Sequence, residues 1–230
     1  MKSEMPKVLH EVAGAPLLVH CMKTAQTIEP EHLIIVAGHG SEDVTKTART
    51  YAPDSQIVTQ SAQLGTAHAV AQSREILSGF EGDLIILYGD TPFIRPETLE
   101  KLAQARQKSD LVILGFEAND PGHYGRLITS GTDLLEIVEY KEANAAQKDI
   151  TICNSGVLAG PAQLIFQLIE QVETSNKAGE LYLTDCIALA RAAGKSASVV
   201  TCPEAETLGV NSRRDLAQAE QVFQNNARAA

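Results

Sequence analysis

Asp90 is the residue best placed for chemistry. It lies in the turn Tyr88-Gly89-Asp90, ahead of Pro92 and directly behind the apolar run Leu84-Ile85-Ile86-Leu87. Such a run fits a strand buried on both faces of a helix-covered parallel sheet. Ligands of open α/β sheets bind just beyond the carboxyl ends of strands. A carboxylate there, beside a glycine that lets a ligand come close, suits a metal or a phosphate complex. An ordinary strand-ending turn also selects Gly and Asp, so both readings stand. Gly65-Thr66 at a helix start leaves backbone N–H groups free for a phosphate or the carbonyl edge of a base; plain N-capping by Thr66 is the alternative. Lys7 sits in a loop between Pro6 and Gly14 and suits phosphate oxygens, or it is a solvated surface lysine. Glu139 and Lys141 fall on one face if their strand continues, with an exposed ion pair as the other reading. Asn154 interrupts the apolar run from Ile152 to Leu158 and must find partners in the fold or in a ligand. His39, between Gly38 and Gly40, reads as a turn histidine and is assigned no role.

The elements that would position these residues follow from periodicity and breakers. Helices are expected over 16–28, from Ser41 as cap, over 67–77, 96–108, 161–172, 186–193 and 213–224. Strands are expected over 33–37, 56–59, 84–87, 111–116, 152–158 and 197–201. This alternation predicts an α/β fold: a mixed, mostly parallel sheet with helices on both faces. Residues 119–150 break the pattern. They are polar, with turns at Asp120-Pro121-Gly122 and Ser130-Gly131, and predict a small antiparallel annex. A single domain over 1–230 is expected, with a loop over 1–14 and a frayed tail over 225–230.

The 230 residues carry a formal net charge of −10, and 44% are hydrophobic. With no long Lys/Arg run to offset that charge, general nucleic-acid and membrane-surface binding are disfavoured, whereas a nucleotide substrate needs only a local positive site. Cys21, Cys153, Cys186 and Cys202 lack metal-knuckle spacing and read as reduced, buried thiols of a cytoplasmic protein. No apolar run approaches the ~18 residues of a membrane span, and the first residues lack the apolar core of a secretory signal.

Taken together, eight short motifs resemble a known family. They are Pro6-Lys7-Val8-Leu9-His10; Gln60 followed by Gly65-Thr66 and His68; Tyr88-Gly89-Asp90 with Pro92; Tyr124-Gly125-Arg126; Val138-Glu139 with Lys141; Asn154 with Gly156; Gly179 to Asp185; and Gly209-Val210-Asn211. Their order over about residues 2–224 resembles the uridyltransferase half of bacterial bifunctional N-acetylglucosamine-1-phosphate uridyltransferase/glucosamine-1-phosphate acetyltransferases, within the MobA-like NTP transferase superfamily. The resemblance implies a Rossmann-like nucleotidyltransferase fold. It implies transfer of UMP from UTP to N-acetylglucosamine 1-phosphate with Mg2+, giving pyrophosphate and UDP-N-acetylglucosamine, a peptidoglycan precursor. It places metal ligands at Asp90 and Asn211, nucleotide contacts at Lys7, Gln60, Gly65, Thr66, Tyr88 and Gly89, and sugar contacts at Gly125, Glu139 and Asn154. Lys7 and Asp90 would be the catalytic pair.

Ser155 and Ala67 stand where the family often has Thr and Gly. The family pattern also opens with a strand and a glycine-rich phosphate loop of the form Leu-Ala-Ala-Gly-x-Gly-Thr-Arg-Met, and the 230 residues begin at what resembles its closing Met. They hold no acetyltransferase β-helix repeats. On this reading the 230 residues alone are expected to be weakly active or inactive, and the oligomeric state is open. The alternatives are a related transferase for another sugar phosphate or base, and a non-catalytic nucleotide-sugar-binding protein.

Overall fold

The sequence alternates short apolar runs with amphipathic segments, and the computed structural model, which describes residues 5–174 and 179–229, resolves them into the following elements. Residues 1–4 of the expected opening loop, and Ala230 of the expected tail, lie outside the described residues. After a 3-10 turn over Lys7–Leu9 come a two-strand antiparallel hairpin, β1 (Glu11–Val12) and β2 (Ala15–Pro16), and α1 (Leu17–Gln26). Pro16 presets the backbone for entry into α1 and carries no N–H that would go unpaired there. There follow β3 (Ile34–Ala37), α2 (Ser41–Tyr51), β4 (Gln56–Thr59), α3 (Thr66–Ala71), β5 (Asp83–Ile86), α4 (Pro96–Arg106) and β6 (Leu111–Glu117). The chain continues through β7 (Arg126–Ser130), β8 (Asp133–Val138), α5 (Ala145–Lys148), β9 (Ile152–Pro161), α6 (Ala162–Ile169), α7 (Asp185–Ala192), β10 (Ala197–Cys202) and α8 (Arg213–Ala229).

These elements group into two compact units. The first comprises Met1–Ser61, Leu87–Leu99 and Ala205–Ala230. In it β3 and β4 pair in parallel. The three-and-four spacing of α1 and α2 points Leu18, Met22, Val44 and Ala48 at Ile35 and Ala37, closing one core. A second core joins Val12, Leu17, Phe93, Val210 and Ala219, lined by Leu216 and Phe223 of α8. The stretch expected to fray is helical to Ala229.

The second unit comprises Ala62–Ile86 and Glu100–Glu204. It holds a six-stranded mixed sheet in the order β5-β9-β6-β10-β8-β7. β6 and β10 pair in parallel, whereas β9 runs antiparallel to both β5 and β6. β7 and β8 form the antiparallel hairpin expected within 119–150, and they join the same sheet through Ser198–Asp133 and Arg126–Cys153 pairing. Leu111 to Leu114, Phe116, Val157, Leu158 and Ile165 are among its most deeply buried side chains.

Several expectations need correction. Leu84–Ile86 is not buried on both faces: it is an edge strand of the sheet and half-exposed. Ser41 does not cap α2. Gly40 takes that place in the left-handed conformation, and a Cβ there would lie 2.2 Å from Pro6 Cγ. The helix expected to Leu77 ends at Ala71. Just beyond, the Ser73 hydroxyl donates to the Val70 carbonyl at 2.7 Å, and the backbone continues in three-residue turns.

Candidate active-site residues

In the first unit, three expected site residues from distant segments meet. The Lys7 ammonium donates to Asp90 Oδ2, and to Asn211 Oδ1 at 2.7 Å. Pro6 starts the 3-10 turn that presents Lys7. Asp90 is held through its turn. The Tyr88 carbonyl accepts from Thr91 N at 3.2 Å, from Thr91 Oγ1 at 2.8 Å and from the Cys21 thiol at 3.3 Å. Cys21 also donates to the Thr91 carbonyl at 3.4 Å. Burial, and then the Asp90 charge, push the Cys21 thiol up to about 12, so it stays protonated and keeps the proton it donates. Gly89 backs onto Val8 and Leu18, where a Cβ would find carbons at 3.3 and 3.4 Å.

Asn211 is carried in by the segment before α8, whose Val210 N–H donates to the Asp90 carbonyl at 3.0 Å. The start of α8 is fixed by a reciprocal cap. Asp215 accepts from the N–H groups of Asn211 and Ser212 at 2.9 and 2.8 Å, and its own N–H donates to Ser212 Oγ at 3.1 Å. Burial pushes the Asp215 carboxyl up, but these donors outweigh it and hold the group below the ordinary carboxylate range. Gln60 follows β4 directly, with its N–H on the Ala37 carbonyl at 2.8 Å.

Among the described residues no group of three or more His, Cys, Asp or Glu side chains is arranged to hold a metal ion. The donor set that fits one is smaller. Asp90 and Asn211 turn a carboxylate and an amide oxygen toward one cation, the Lys7 ammonium. Two hard oxygen donors suit Mg2+, which completes its shell with water and phosphate oxygens.

In the second unit, Gly65 and Thr66 are clasped to the segment Leu181–Leu183. Leu181 N donates to the Leu64 carbonyl at 2.8 Å, Ala67 N to the Leu181 carbonyl at 2.9 Å, and Leu183 N to Thr66 Oγ1 at 2.9 Å. Gly65 has φ +115°, and a Cβ on it would lie 2.5 Å from the Leu181 oxygen. Thr66 is therefore not a plain N-cap: Gly65 holds that position and the hydroxyl accepts from Leu183. The Ala67 N–H, free in the sequence expectation, is also committed to Leu181.

Gly125, Glu139 and Asn154 also come together in this unit. The Gly125 carbonyl accepts from Asn154 N at 2.9 Å, and a Cβ on Gly125 would stand 3.5 Å from both Glu139 carboxylate oxygens. Asn154 Oδ1 accepts from Gly156 N at 2.9 Å, the partner that the polar break required. Glu139 does not continue the strand. β8 ends at Val138, and Glu139 and Lys141 lie in the turn beyond it. Burial, with the neighbouring Asp185 and Glu142 charges, raises the Glu139 carboxyl above its ordinary value, against a hydrogen bond from Thr184 Oγ1 at 3.4 Å. Thr184 and Cys21 are two of the supporting residues the sequence did not single out. Thr184 lay within a quoted motif, while nothing in the pattern around Cys21 marks it as a donor.

The mixed sheet of the second unit, with its helices, has the α/β fold of nucleotidyltransferases. The chain matches UDP-glucose pyrophosphorylase complexed with UDP-glucose at a TM-score of 0.77 and 15% identity, covering 96% of this chain and 91% of that one. HddC from Yersinia pseudotuberculosis matches at 0.72 and 18% identity, over 97% and 92%. At these identities the likeness is one of fold. The MobA-like NTP transferase domain matches residues 1–152, and the chain belongs to that family. Over its whole length it is 54% identical to the bifunctional protein GlmU of Cereibacter sphaeroides and likewise to that of Ruegeria sp.. The chain spans about half the length of these curated relatives, 51% in both. Among the described residues no helix is long and apolar enough to cross a membrane.

Proposed function

We propose that this chain transfers UMP from UTP to N-acetylglucosamine 1-phosphate, giving UDP-N-acetylglucosamine and pyrophosphate. The convergence of Lys7, Asp90 and Asn211 carries the reading. The nucleophile, a sugar-phosphate oxygen, is already anionic. It attacks the α-phosphorus of UTP in line, the bond to the bridging oxygen breaks, and pyrophosphate leaves with that electron pair. No covalent protein intermediate is needed, so positioning and charge neutralisation do the catalysis.

Lys7 holds phosphate oxygens through its ammonium. Asp90 and Asn211 would hold Mg2+, which would supply charge neutralisation at the phosphates. Gln60, Gly65, Thr66, Tyr88 and Gly89 contact the nucleotide. Gly125, Glu139 and Asn154 read the hydroxyl and acetamido groups of the sugar, where a wrong sugar would leave a buried polar group unpaired. The 54% identity to bifunctional GlmU proteins supports this substrate pair.

Pyrophosphate release from UTP and N-acetylglucosamine 1-phosphate with Mg2+ tests the proposal, run beside other nucleoside triphosphates and other sugar 1-phosphates. Release with the named pair at the highest kcat/KM is expected. Preference for another base or sugar would overturn the substrate assignment. Binding of UDP-N-acetylglucosamine without turnover under any pairing would favour a binding role.

A further inference from the structure

Arg126 is 2% exposed, the largest of the fully buried side chains. A buried guanidinium brings a charge and five N–H donors out of water and is tolerated only when those donors are matched. Here backbone carbonyls match them. Nε and one terminal nitrogen donate to the Lys148 carbonyl at 3.4 and 3.2 Å, and the same terminal nitrogen donates to Gly122 at 3.1 Å. The other terminal nitrogen donates to Pro121 at 3.2 Å and to Tyr124. The Tyr140 ring lies against the guanidinium, 5.6 Å from Arg126 Cζ to the ring centroid. Arg126 thus ties the loop 121–124 to the end of α5 and braces the residue after Glu139. Between these anchors lies Gly125, whose carbonyl accepts the Asn154 N–H and whose Cα faces the Glu139 carboxylate.

We propose that Arg126 is the positioning residue of the acceptor-sugar contacts, fixing Gly125, Asn154 and Glu139 relative to one another without itself touching the sugar. The inference rests on the reading of those three residues as sugar contacts. A planar fork can reach four carbonyls at once, and a lysine ammonium at the same place cannot. Arg126→Lys keeps the charge and loosens the loop. Misplaced contacts weaken recognition of the sugar and leave the nucleotide contacts intact.

Two measurements on the full chain decide it. By calorimetry, Arg126→Lys lowers affinity for UDP-N-acetylglucosamine on the order of tenfold and leaves UTP affinity within about twofold. By amide exchange, the Asn154 N–H and residues 122–125 lose protection while β6 keeps it. Equal losses for both ligands, unchanged affinities, or unchanged exchange would overturn the proposal. If Arg126→Lys does not fold, Tyr140→Leu leaves the carbonyl bonds in place and gives a smaller shift of the same sign; no shift there counts against the proposal. If the unsubstituted chain binds neither ligand, the uridyl-transfer reading falls, and the exchange data still decide whether Arg126 orders this loop.

Discussion

Lys7 Nζ lies 2.7 Å from Asn211 Oδ1, although 204 positions separate the two residues along the chain. The same ammonium bonds to Asp90. One lysine therefore satisfies both oxygens that suit a divalent cation, and a metal arriving there competes with it. Lys7→Ala removes the competitor. Mn2+ binding without nucleotide should tighten, by about tenfold, since a carboxylate and an amide lose a charge-assisted partner. Pyrophosphate release should fall by about two orders of magnitude, the scale of losing one positioned donor to a transferring phosphate. Mn2+ titration followed by electron paramagnetic resonance checks the first half without any turnover. Unchanged Mn2+ affinity would show that these oxygens are not the cation's ligands.

Gly65→Ala should open the clasp between Gly65-Thr66 and Leu181–Leu183. A methyl group at Gly65 would lie 2.5 Å from the Leu181 oxygen and 2.6 Å from its nitrogen, and the φ of +115° is strained for any L residue. Backbone strain and overpacking together should cost about 2–4 kcal/mol in denaturant unfolding. Thr66→Val keeps the shape and leaves the buried Leu183 N–H without its acceptor, which should cost about 1–3 kcal/mol. A Gly65→Ala protein as stable as the parent would mean that the segment 181–183 moves aside freely.

Glu139 gives a pH-dependent prediction. Burial, reinforced by Asp185 and Glu142, raises its carboxyl above the ordinary value of 4.5. Below pH 4.5 the group is protonated in folded and unfolded chains alike, and its native state bears no penalty. As pH rises from 4.5 through the raised folded value, the unfolded chain ionises first and stability is lost. Glu139→Gln mimics the protonated form. It should be more stable than the parent at pH 7, and the gain should vanish below pH 4.5. If Glu139 accepts from sugar hydroxyls as proposed, affinity for UDP-N-acetylglucosamine should fall in the same variant, because that acceptor has become partly a donor. Urea unfolding at pH 4 and pH 7 checks the sign, and a gain that persists at pH 4 would contradict it.

The turn at Asp90 was legible because Gly-Asp behind an apolar run is a local signal, and the α/β alternation was legible for the same reason. What returns to that turn was not. Asn211 arrives through one backbone bond, from Val210 N to the Asp90 carbonyl, and nothing in Gly209-Val210-Asn211 encodes that destination. Only the family resemblance pointed to it. The direction of β9 was equally silent, since strand polarity follows from how the chain connects rather than from side-chain pattern. The Ile152–Leu158 run reads identically whether parallel or antiparallel. Arg126 stood within a quoted motif, yet a single arginine beside a polar turn carries no sign that four carbonyls will enclose it. The early end of α3 was missed because helical periodicity outweighed one serine, Ser73, whose hydroxyl competes for the Val70 carbonyl.

The thiols give a last prediction. All four cysteines are buried, and Cys21 and Cys186 are pushed up to about 12, first by burial and then by the Asp90 and Asp185 charges respectively. The thiolate is the reactive form and needs access to the reagent, and all four thiols are buried, so the native protein should resist thiol-specific disulfide reagents at pH 8 and label at all four positions only on unfolding. The same shifts set an alkaline limit. Below pH 9.0, the ordinary thiol value, both states are protonated and these groups contribute nothing to the pH dependence. Between pH 9 and about 12 the unfolded chain releases protons that the folded chain keeps, so stability falls as pH rises. A Cys21→Ala/Cys186→Ala double variant should lose some stability at pH 7, because the Cys21 donor to Tyr88 and Thr91 is gone. Its decline between pH 9 and 11 should nevertheless be shallower than the parent's. A parent protein with one rapidly labelled thiol, or a double variant with an unchanged alkaline slope, would overturn this account of the buried sulfurs.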